Sequence, residues 1–283
     1  GEFFELYNTL FYDIPTNGNT NSHEYLVKTS GDYIGFEQTN EEIQLLLDNL
    51  HANGKKLGGF IIEPILSCGG QVELPVGFLE NVYPLIKNSG GLCISDEVQT
   101  GCGRMGKTFW GFELHGVIPD IVTIGKPLGN GHPVAAVVCT EEVAKKFANG
   151  MEFFNTFGGN PVSCAIAAKV LQVVREEKLQ QNAHEVGNYL KTELKLLAEK
   201  YSILGSIRGQ GLFLGVELID SDGNPTATQT SYLVDRMKDY GILMSIDGPD
   251  HNVIKLKPPL IFSKSNAQFL LQTLRQVLDE NAM

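Results

Sequence analysis

The sequence predicts an α/β fold in which a mostly parallel sheet is flanked by helices and is followed by a smaller α+β domain. Two short segments, Gly91–Ser95 and Asp120–Ile124, consist mainly of apolar and β-branched residues, which is typical of buried parallel strands. Helices alternate with such runs as far as about Asn182, and a different order of elements follows. We therefore expect two domains, residues 1–182 and residues 183–283.

Capping residues and periodicity place the other elements of the first domain. Residues 1–38 show no clean period and stay unassigned. Thr39 and Glu42 form a capping box, which predicts a helix that begins there and ends near Ala52. The chain then predicts a strand at 59–63, a helix at 77–88, an apolar strand at 133–139, a short helix capped by Thr140 and a longer helix that starts at Pro161.

The second domain is predicted to mix helices and strands without a regular β-α-β order. A helix near 186–200 is followed by strands at 203–207 and 212–218, a helix at 230–240, strands near Ile242 and Val253, and a terminal helix from Lys264. This order is typical of an α+β domain.

Composition and charge restrict the possible functions. The chain has 283 residues and is 42% hydrophobic, so it is long enough to bury a substantial core. Its net charge of -11 disfavours nucleic acid and anionic membranes as partners, because both attract basic surfaces. No apolar run approaches the roughly 20 residues of a membrane span. We expect a small-molecule ligand, and neither a nucleic acid nor a membrane as partner.

The cysteines predict a reducing compartment. There are five of them, and they form an odd set without a C-x-x-C pair: Cys68, Cys93, Cys102, Cys139 and Cys164. Neither a disulfide framework nor a zinc site is indicated, and no metal is expected. We expect a cytoplasmic protein, with the mitochondrion as the alternative.

A carboxylate and a lysine follow the two predicted parallel strands. Asp96 comes directly after the first apolar run, and Lys126 follows the second in a glycine-rich loop. The carboxyl ends of parallel strands form the ligand crevice of an open α/β sheet. A lysine that can form a Schiff base and an acid that keeps a pyridinium nitrogen protonated are the side chains that pyridoxal-phosphate chemistry needs. The pair predicts an enzyme that uses pyridoxal 5'-phosphate.

One glycine motif suggests a different cofactor. Residues 101–106 match G-x-G-x-x-G, and Asp120 lies downstream, as in nicotinamide-binding proteins. That fingerprint requires the third glycine to open a helix, whereas residues 107–112 show no helical period and contain Gly111. We therefore do not expect a dinucleotide site.

Three ordered motifs resemble the subgroup III aminotransferase family of fold type I pyridoxal-phosphate enzymes. They are Asp-Glu-Val-Gln-Thr-Gly at 96–101, Gly-Lys-Pro-Leu-Gly-Asn-Gly at 125–131 and Asn-Thr-Phe-Gly-Gly-Asn-Pro at 155–161. The resemblance implies that Lys126 bonds to the cofactor and moves the substrate proton, and that Asp96 pairs with the ring nitrogen. It also implies that Val98 packs under the ring and Gln99 binds its phenolic oxygen. Thr156 would bind the cofactor phosphate in the neighbouring subunit of a homodimer.

Part of the family pattern is absent from the chain. Members carry an upstream Gly/Ser-rich turn that cradles the cofactor phosphate, and an aromatic residue that stacks on the ring. No segment of the Ser-Gly-x-Glu-Ala-Asn type occurs in these 283 residues. The resemblance therefore predicts a subunit that lacks its N-terminal third.

Two substitutions in the family pattern bear on the substrate. Family members that act on ω-amino acids use a glutamate and an arginine as a switch, and Cys68 and Lys255 occupy those positions here. The segments at 67–71 and 245–253 resemble the phospho-lyase branch, which acts on ethanolamine phosphate and phosphohydroxylysine. Lysine binds phosphate well as a point charge. The candidate substrate residues are Lys255, Lys257, Arg208 and Cys68, although a solvated strand edge also explains the two lysines.

The resemblance implies a phospho-lyase that eliminates phosphate from a small amino-alcohol phosphate such as O-phosphoethanolamine. A transaminase that uses an ω-amino acid or amine with pyruvate or 2-oxoglutarate is the first alternative. An inactive fragment, or a module of a larger fusion protein, is the second.

Overall fold

A computed structural model describes residues 3–6, 9–12, 27–30 and 36–280, with side chains from residue 40 onward. The chain divides into two compact units, each built from separate stretches. The first comprises Gly1–Pro64, Leu74–Gln99 and Gly111–Leu171, and the second comprises Ile65–Glu73, Thr100–Trp110 and Gln172–Met283. The domain boundary expected after residue 182 stays a prediction.

The first unit contains a five-stranded mixed sheet. Its strands are β2 (Thr9–Tyr12), β4 (Leu57–Ile62), β7 (Leu92–Asp96), β8 (Ile121–Ile124) and β9 (Ala136–Cys139), in that spatial order. The three central strands are parallel, and both edge strands are antiparallel to their neighbours. Strands β1 (Phe3–Leu6) and β3 (Val27–Ser30) form a separate antiparallel pair. The two parallel strands expected from the sequence are confirmed as β7 and β8, although three of the four residues of β8 are only partly buried.

Helices of the first unit are α1 (Phe36–Ala52), α2 (Phe78–Asn88) and α3 (Glu141–Phe147), and α4 (Pro161–Glu176) continues from it into the second unit. The expected start of α1 at Thr39 is wrong, because the helix begins at Phe36 and Thr39 lies inside its first turn. Pro161 begins α4 as expected, and Thr140 occupies the expected N-cap position of α3, although its side chain makes no capping hydrogen bond.

The second unit is built around a four-stranded antiparallel sheet. Its strands are β10 (Leu204–Gln210), β11 (Phe213–Leu218), β13 (Val253–Leu256) and β12 (Ser245–Asp247), in that spatial order. Helices α5 (Leu179–Lys200), α6 (Ala227–Asp239) and α7 (Lys264–Leu278) bury their apolar faces in one core, which includes Leu190, Leu194, Leu214, Leu218, Leu233, Met237, Leu271 and Leu274. The short hairpin of β5 (Ile65–Leu66) and β6 (Val72–Glu73) also belongs to this unit.

Two elements of the second unit differ from the expected positions. Helix α5 begins at Leu179, seven residues before the expected start at Val186, because Ala183 already belongs to its buried face. The strand expected near Ile242 is β12, which begins at Ser245.

The glycine motif at 101–106 packs against helix α5. Gly103 and Gly106 both have positive φ, at 82° and 71°. A Cβ atom on Gly106 would lie 2.5 Å from the Cα of His184, and one on Gly103 would lie 3.1 Å from the Cβ of Gln180. Turn residues, not a helix, follow Gly106. Close packing therefore explains these two glycines.

No helix in the described part of the chain combines the length and the apolar character that a bilayer span requires. The same residues contain no group of three side chains that could hold a metal ion.

Candidate active site

Asp96 is the last residue of β7, at the carboxyl end of the central parallel strands. It stands beside Thr123 of β8 in the strand register. Its Oδ1 accepts hydrogen bonds from the backbone N–H of Val98, at 3.0 Å, and from the hydroxyl of Thr123, at 3.1 Å. Both bonds end on one oxygen, which orients the carboxylate and leaves Oδ2 available to a further donor.

Lys126 opens a short 3₁₀ turn directly after β8. The turn covers Lys126–Leu128, and the Lys126 side chain is exposed. Gly125 precedes it, and a Cβ atom there would lie 3.4 Å from a methyl group of Val98. The chain therefore brings Val98 against the backbone that carries Lys126. Because β7 and β8 are parallel neighbours, the acid and the lysine both follow strands that end at the same edge of the sheet.

Glu97 is a site residue that the sequence reasoning missed. It is fully buried, although its neighbours Asp96 and Val98 are only partly so. Its carboxylate accepts the backbone N–H groups of Gly111, at 2.8 Å, and Phe112, at 2.9 Å. Glu97 thus anchors the chain that follows β7. The alternation of side chains in an extended strand could have separated Glu97 from Asp96 and Val98, because residues i and i+2 share a face.

Gln99 and Thr156 have different environments. Gln99 is buried at 8% exposure, at the end of the same segment as Asp96. Thr156 lies in the exposed stretch between α3 and α4, in which every side chain from 151 to 159 is exposed. The cofactor contacts assigned to these two residues stay proposals.

In the second unit, Lys255 is held in an ion pair. Its Nζ lies 2.6 Å from Oδ2 of Asp247, and the Gln71 side-chain amide donates to the same oxygen at 2.8 Å. The side chains of Lys255 and Asp247 are 18% and 12% exposed, so the pair is shielded from solvent. The positive charge of Lys255 is therefore largely balanced within its own unit.

Arg208 is also paired. Its guanidinium lies 3.1 Å from Glu217 and donates from Nε to the Gly70 carbonyl at 2.7 Å. The Cys68 carbonyl accepts the backbone N–H of Gly248 at 3.0 Å, whereas its side chain is exposed. These bonds connect the β5–β6 hairpin to the four-stranded sheet. Arg208 therefore has a structural role in the second unit.

Lys257 lies two residues beyond Lys255. Its ammonium group is 5.6 Å from the ring centroid of Phe213. Both lysines line one cavity of the second unit, together with Ser245, Asn266 and mainly apolar side chains. Of the four substrate residues expected from the sequence, this cavity contains Lys255 and Lys257.

The residues of the first unit fit a pyridinium cofactor. Asp96 presents an oriented carboxylate oxygen of the kind that a protonated ring nitrogen requires. Val98 offers an apolar surface, and Lys126 offers an exposed amine in the adjoining loop. Asp96 and Lys126 are the two side chains that pyridoxal-phosphate chemistry needs.

Comparison with known proteins shows the family to which the chain belongs. The chain is 40% identical to a phospholyase from Arthrobacter whose structure contains phosphoethanolamine, with a TM-score of 0.82 over 86% of this chain and 58% of that one. The fold is that of the fold type I pyridoxal-phosphate enzymes. The class III aminotransferase family matches residues 14–278. The chain belongs to this family, whose cofactor is pyridoxal 5'-phosphate.

Two curated relatives carry different activities in their names. The alanine–glyoxylate aminotransferase 2-like protein of Drosophila melanogaster is 48% identical over 80% of this chain and 47% of its own length. The ethanolamine-phosphate phospho-lyase homolog 1 of Caenorhabditis elegans is 38% identical over 87% of this chain and 54% of its own length. The chain spans about half the length of these relatives.

Proposed function

We propose that the full-length protein is a phospho-lyase that eliminates phosphate from a small amino-alcohol phosphate such as O-phosphoethanolamine. The observation that carries the proposal is the cavity that contains both Lys255 and Lys257, of which Lys255 stands at the family position where an arginine would serve a transaminase. The similarity to a phospholyase with bound phosphoethanolamine supports the same substrate class.

The residues of the first unit would carry the proton chemistry. Pyridoxal phosphate, when bound, withdraws electrons from the substrate carbon that loses a proton. Lys126 supplies the amine that holds the cofactor and then carries that proton. Asp96 keeps the ring nitrogen protonated, and the N–H of Val98 and the hydroxyl of Thr123 keep the Asp96 carboxylate in position. Gln99 and Val98 orient the ring.

Lys255 and Lys257 are both candidates for phosphate binding. Lys255 lies 2.6 Å from Asp247, and this ion pair weakens its attraction for an added anion. The Lys257 ammonium group lies 5.6 Å from the ring centroid of Phe213, and its side chain lines the same cavity.

Transamination is the second candidate. The 48% identity to a protein named as an aminotransferase favours it. That reaction requires recognition of a carboxylate, and a lysine cannot reproduce the two parallel hydrogen bonds of an arginine. For this reason we rank the lyase first.

The test is an assay of full-length protein for phosphate release from O-phosphoethanolamine, beside transamination with pyruvate or 2-oxoglutarate. Lys257→Met should raise KM for the phosphorylated amine about tenfold, because a charge-assisted contact is lost. Lys195→Met is the matched control, since Lys195 is exposed on α5 and does not line the cavity. Alanine formation from pyruvate without any phosphate release would instead establish the transaminase.

Borohydride reduction distinguishes an enzyme from an inactive fragment or fusion module. Wild-type full-length protein should retain cofactor on Lys126, and Lys126→Ala should retain none and lose turnover. Cofactor trapped on another lysine would contradict the assignment, and no trapped cofactor in wild-type protein would favour the inactive alternative.

We also propose a homodimer. A group of large apolar side chains between the end of α3 and the start of α4 is exposed by 64–82%: Phe147, Met151, Phe153, Phe154, Phe157 and Val162. Phe147 and Phe153 are in ring contact at 5.4 Å, and clustered apolar surface usually marks an interface. Thr156 lies in the same stretch of chain. Sedimentation of the full-length protein should give a dimer, and Phe154→Asp should shift it toward monomer. The cytoplasmic location, with the mitochondrion as alternative, is likewise a proposal, supported by the cysteine pattern.

A further inference from the structure

A second cavity of the second unit is lined by cations and lies apart from the residues discussed above. Four basic side chains line it: Lys107, Arg175, Lys178 and His184. Its other lining residues are Gly106, Phe109, Val174, Gln180 and Gln181, so no acidic side chain lines it. In a chain with a net charge of -11, such a concentration of positive charge is unexpected by composition alone.

The cations of this cavity form no ion pairs in the described part of the chain. None of the four lies within ion-pair distance of a described acid. Acids do occur next to them in sequence, at Glu176, Glu177 and Glu185, but none of these lines the cavity. A concave surface that carries charge of one sign concentrates counter-ions.

Packing fixes the backbone that carries these exposed cations. Lys107 follows Gly106, whose backbone contacts α5 at His184, and the Gln180 side chain donates to the Gly106 carbonyl at 3.2 Å. Arg175 lies near the end of α4, and Lys178 is the N-cap of α5. The positive end of the α5 dipole therefore lies at the same cavity and adds to the field of the side chains.

We propose that this cavity binds a multivalent phosphate anion of the pyrophosphate type. Three permanent cations on two separate stretches of chain suit a ligand that has several anionic oxygens, with a planar guanidinium for paired contacts and ammonium groups as point charges. Two sources share this chemistry, free pyrophosphate and the diphosphate group of a nucleotide. The proposal does not depend on the phospho-lyase assignment.

The test uses isothermal titration of the full-length holoenzyme with pyrophosphate and, separately, with adenosine diphosphate. Wild-type protein should bind pyrophosphate, and the double variant Lys107→Gln/Arg175→Gln should bind it at least about tenfold more weakly. Lys195→Gln, which removes one exposed cation elsewhere on α5, should bind as wild type does. Tighter binding of the nucleotide than of pyrophosphate would identify a nucleotide as the source, and equal or weaker binding would identify the free anion.

Lys178→Gly separates loss of binding from loss of folding. Lys178 has a φ of 53°, a conformation in which glycine is favoured. The variant should therefore keep or raise the unfolding temperature while pyrophosphate affinity falls. Absence of pyrophosphate binding by wild-type protein, equal affinity in the double variant, or an equal loss in the Lys195 control would each overturn the proposal.

Discussion

Lys255 and Asp247 form a shielded ion pair at 2.6 Å, and the same Asp247 oxygen accepts the Gln71 amide. The two residues are diagonal neighbours on the antiparallel pair of β12 and β13, in which Lys255 stands opposite Ser245 and Asp247 stands opposite Val253. Asp247 therefore satisfies two donors at once and joins the β5–β6 hairpin to the sheet. Loss of its carboxylate affects both partners.

Asp247→Ala should lower the free energy of unfolding by about 2–3 kcal/mol, because a half-buried ammonium group and an amide lose their acceptor. Urea denaturation of the full-length protein measures this change. Asp250→Ala is the control, since Asp250 makes no ion pair among the described residues. Equal stability of the two variants would show that the pair contributes little.

Asp96→Asn should preserve folding while turnover falls at least about 100-fold, because an uncharged ring nitrogen stabilises the carbanion poorly. The asparagine oxygen can still accept from Val98 and Thr123, so the local structure should survive. Turnover and unfolding temperature are measured together. Near-normal turnover would exclude Asp96 as the pyridinium partner. A large drop in unfolding temperature would show that the loss of turnover comes from misfolding and not from the chemistry of the ring.

Glu97→Gln should cost about 1.5–3 kcal/mol of stability, because a buried carboxylate that accepts two backbone N–H groups is replaced by an amide with one acceptor oxygen. The control is Glu141→Gln, which removes a surface pair whose glutamate is 82% exposed. Denaturation midpoints give both values. A loss in Glu97→Gln no greater than that of the control would remove its role as an anchor.

His115 should make stability depend on pH. Burial lowers the pKa of His115 below 6.5, although its bond to the Pro64 carbonyl and the charges of Glu97 and Glu80 oppose this. The unfolded chain therefore binds a proton first as the pH falls, so stability is complete above about pH 6.5 and declines below it. The decline ends once the pH passes the lowered folded-state pKa.

Denaturation midpoints of wild type and His115→Gln between about pH 8 and pH 5 test this dependence. The variant should lose less stability than wild type on acidification, because its amide can donate to Pro64 without titrating. His51→Gln, at the exposed end of α1, is the control and should follow wild type. Parallel curves for wild type and His115→Gln would contradict the prediction.

The sequence predicts those elements whose signals are local. β7 and β8 are short apolar runs, and Thr140 and Pro161 are residue types that favour helix starts. The start of α5 has no such residue, since its N-cap is Lys178. Its first turns are held by burial of Ala183 and by the bond from Gln180 to the distant Gly106 carbonyl, which residue types do not reveal.

Some residues of the candidate site could likewise be predicted from the sequence, and others could not. Asp96 and Lys126 could be predicted because each follows a recognisable strand. The partners of Glu97 lie fourteen and fifteen residues further along the chain, and Gln71 is 176 residues from Asp247. Neither spacing follows a helix or strand period, so only the folded chain shows that these acids already have partners.

Gly103 and Gly106 have a wider consequence for the interpretation of glycine signatures. A methyl group at Gly106 would collide with α5, and one at Gly103 would crowd Gln180, while the positive φ at both positions also favours glycine. The same requirement arises when a backbone must approach a pyrophosphate. The spacing of the glycines indicates only that another group approaches the backbone closely. Here that group is helix α5 of the same chain. A search for the G-x-G-x-x-G pattern would therefore select this chain because of helix packing, not because of a bound dinucleotide.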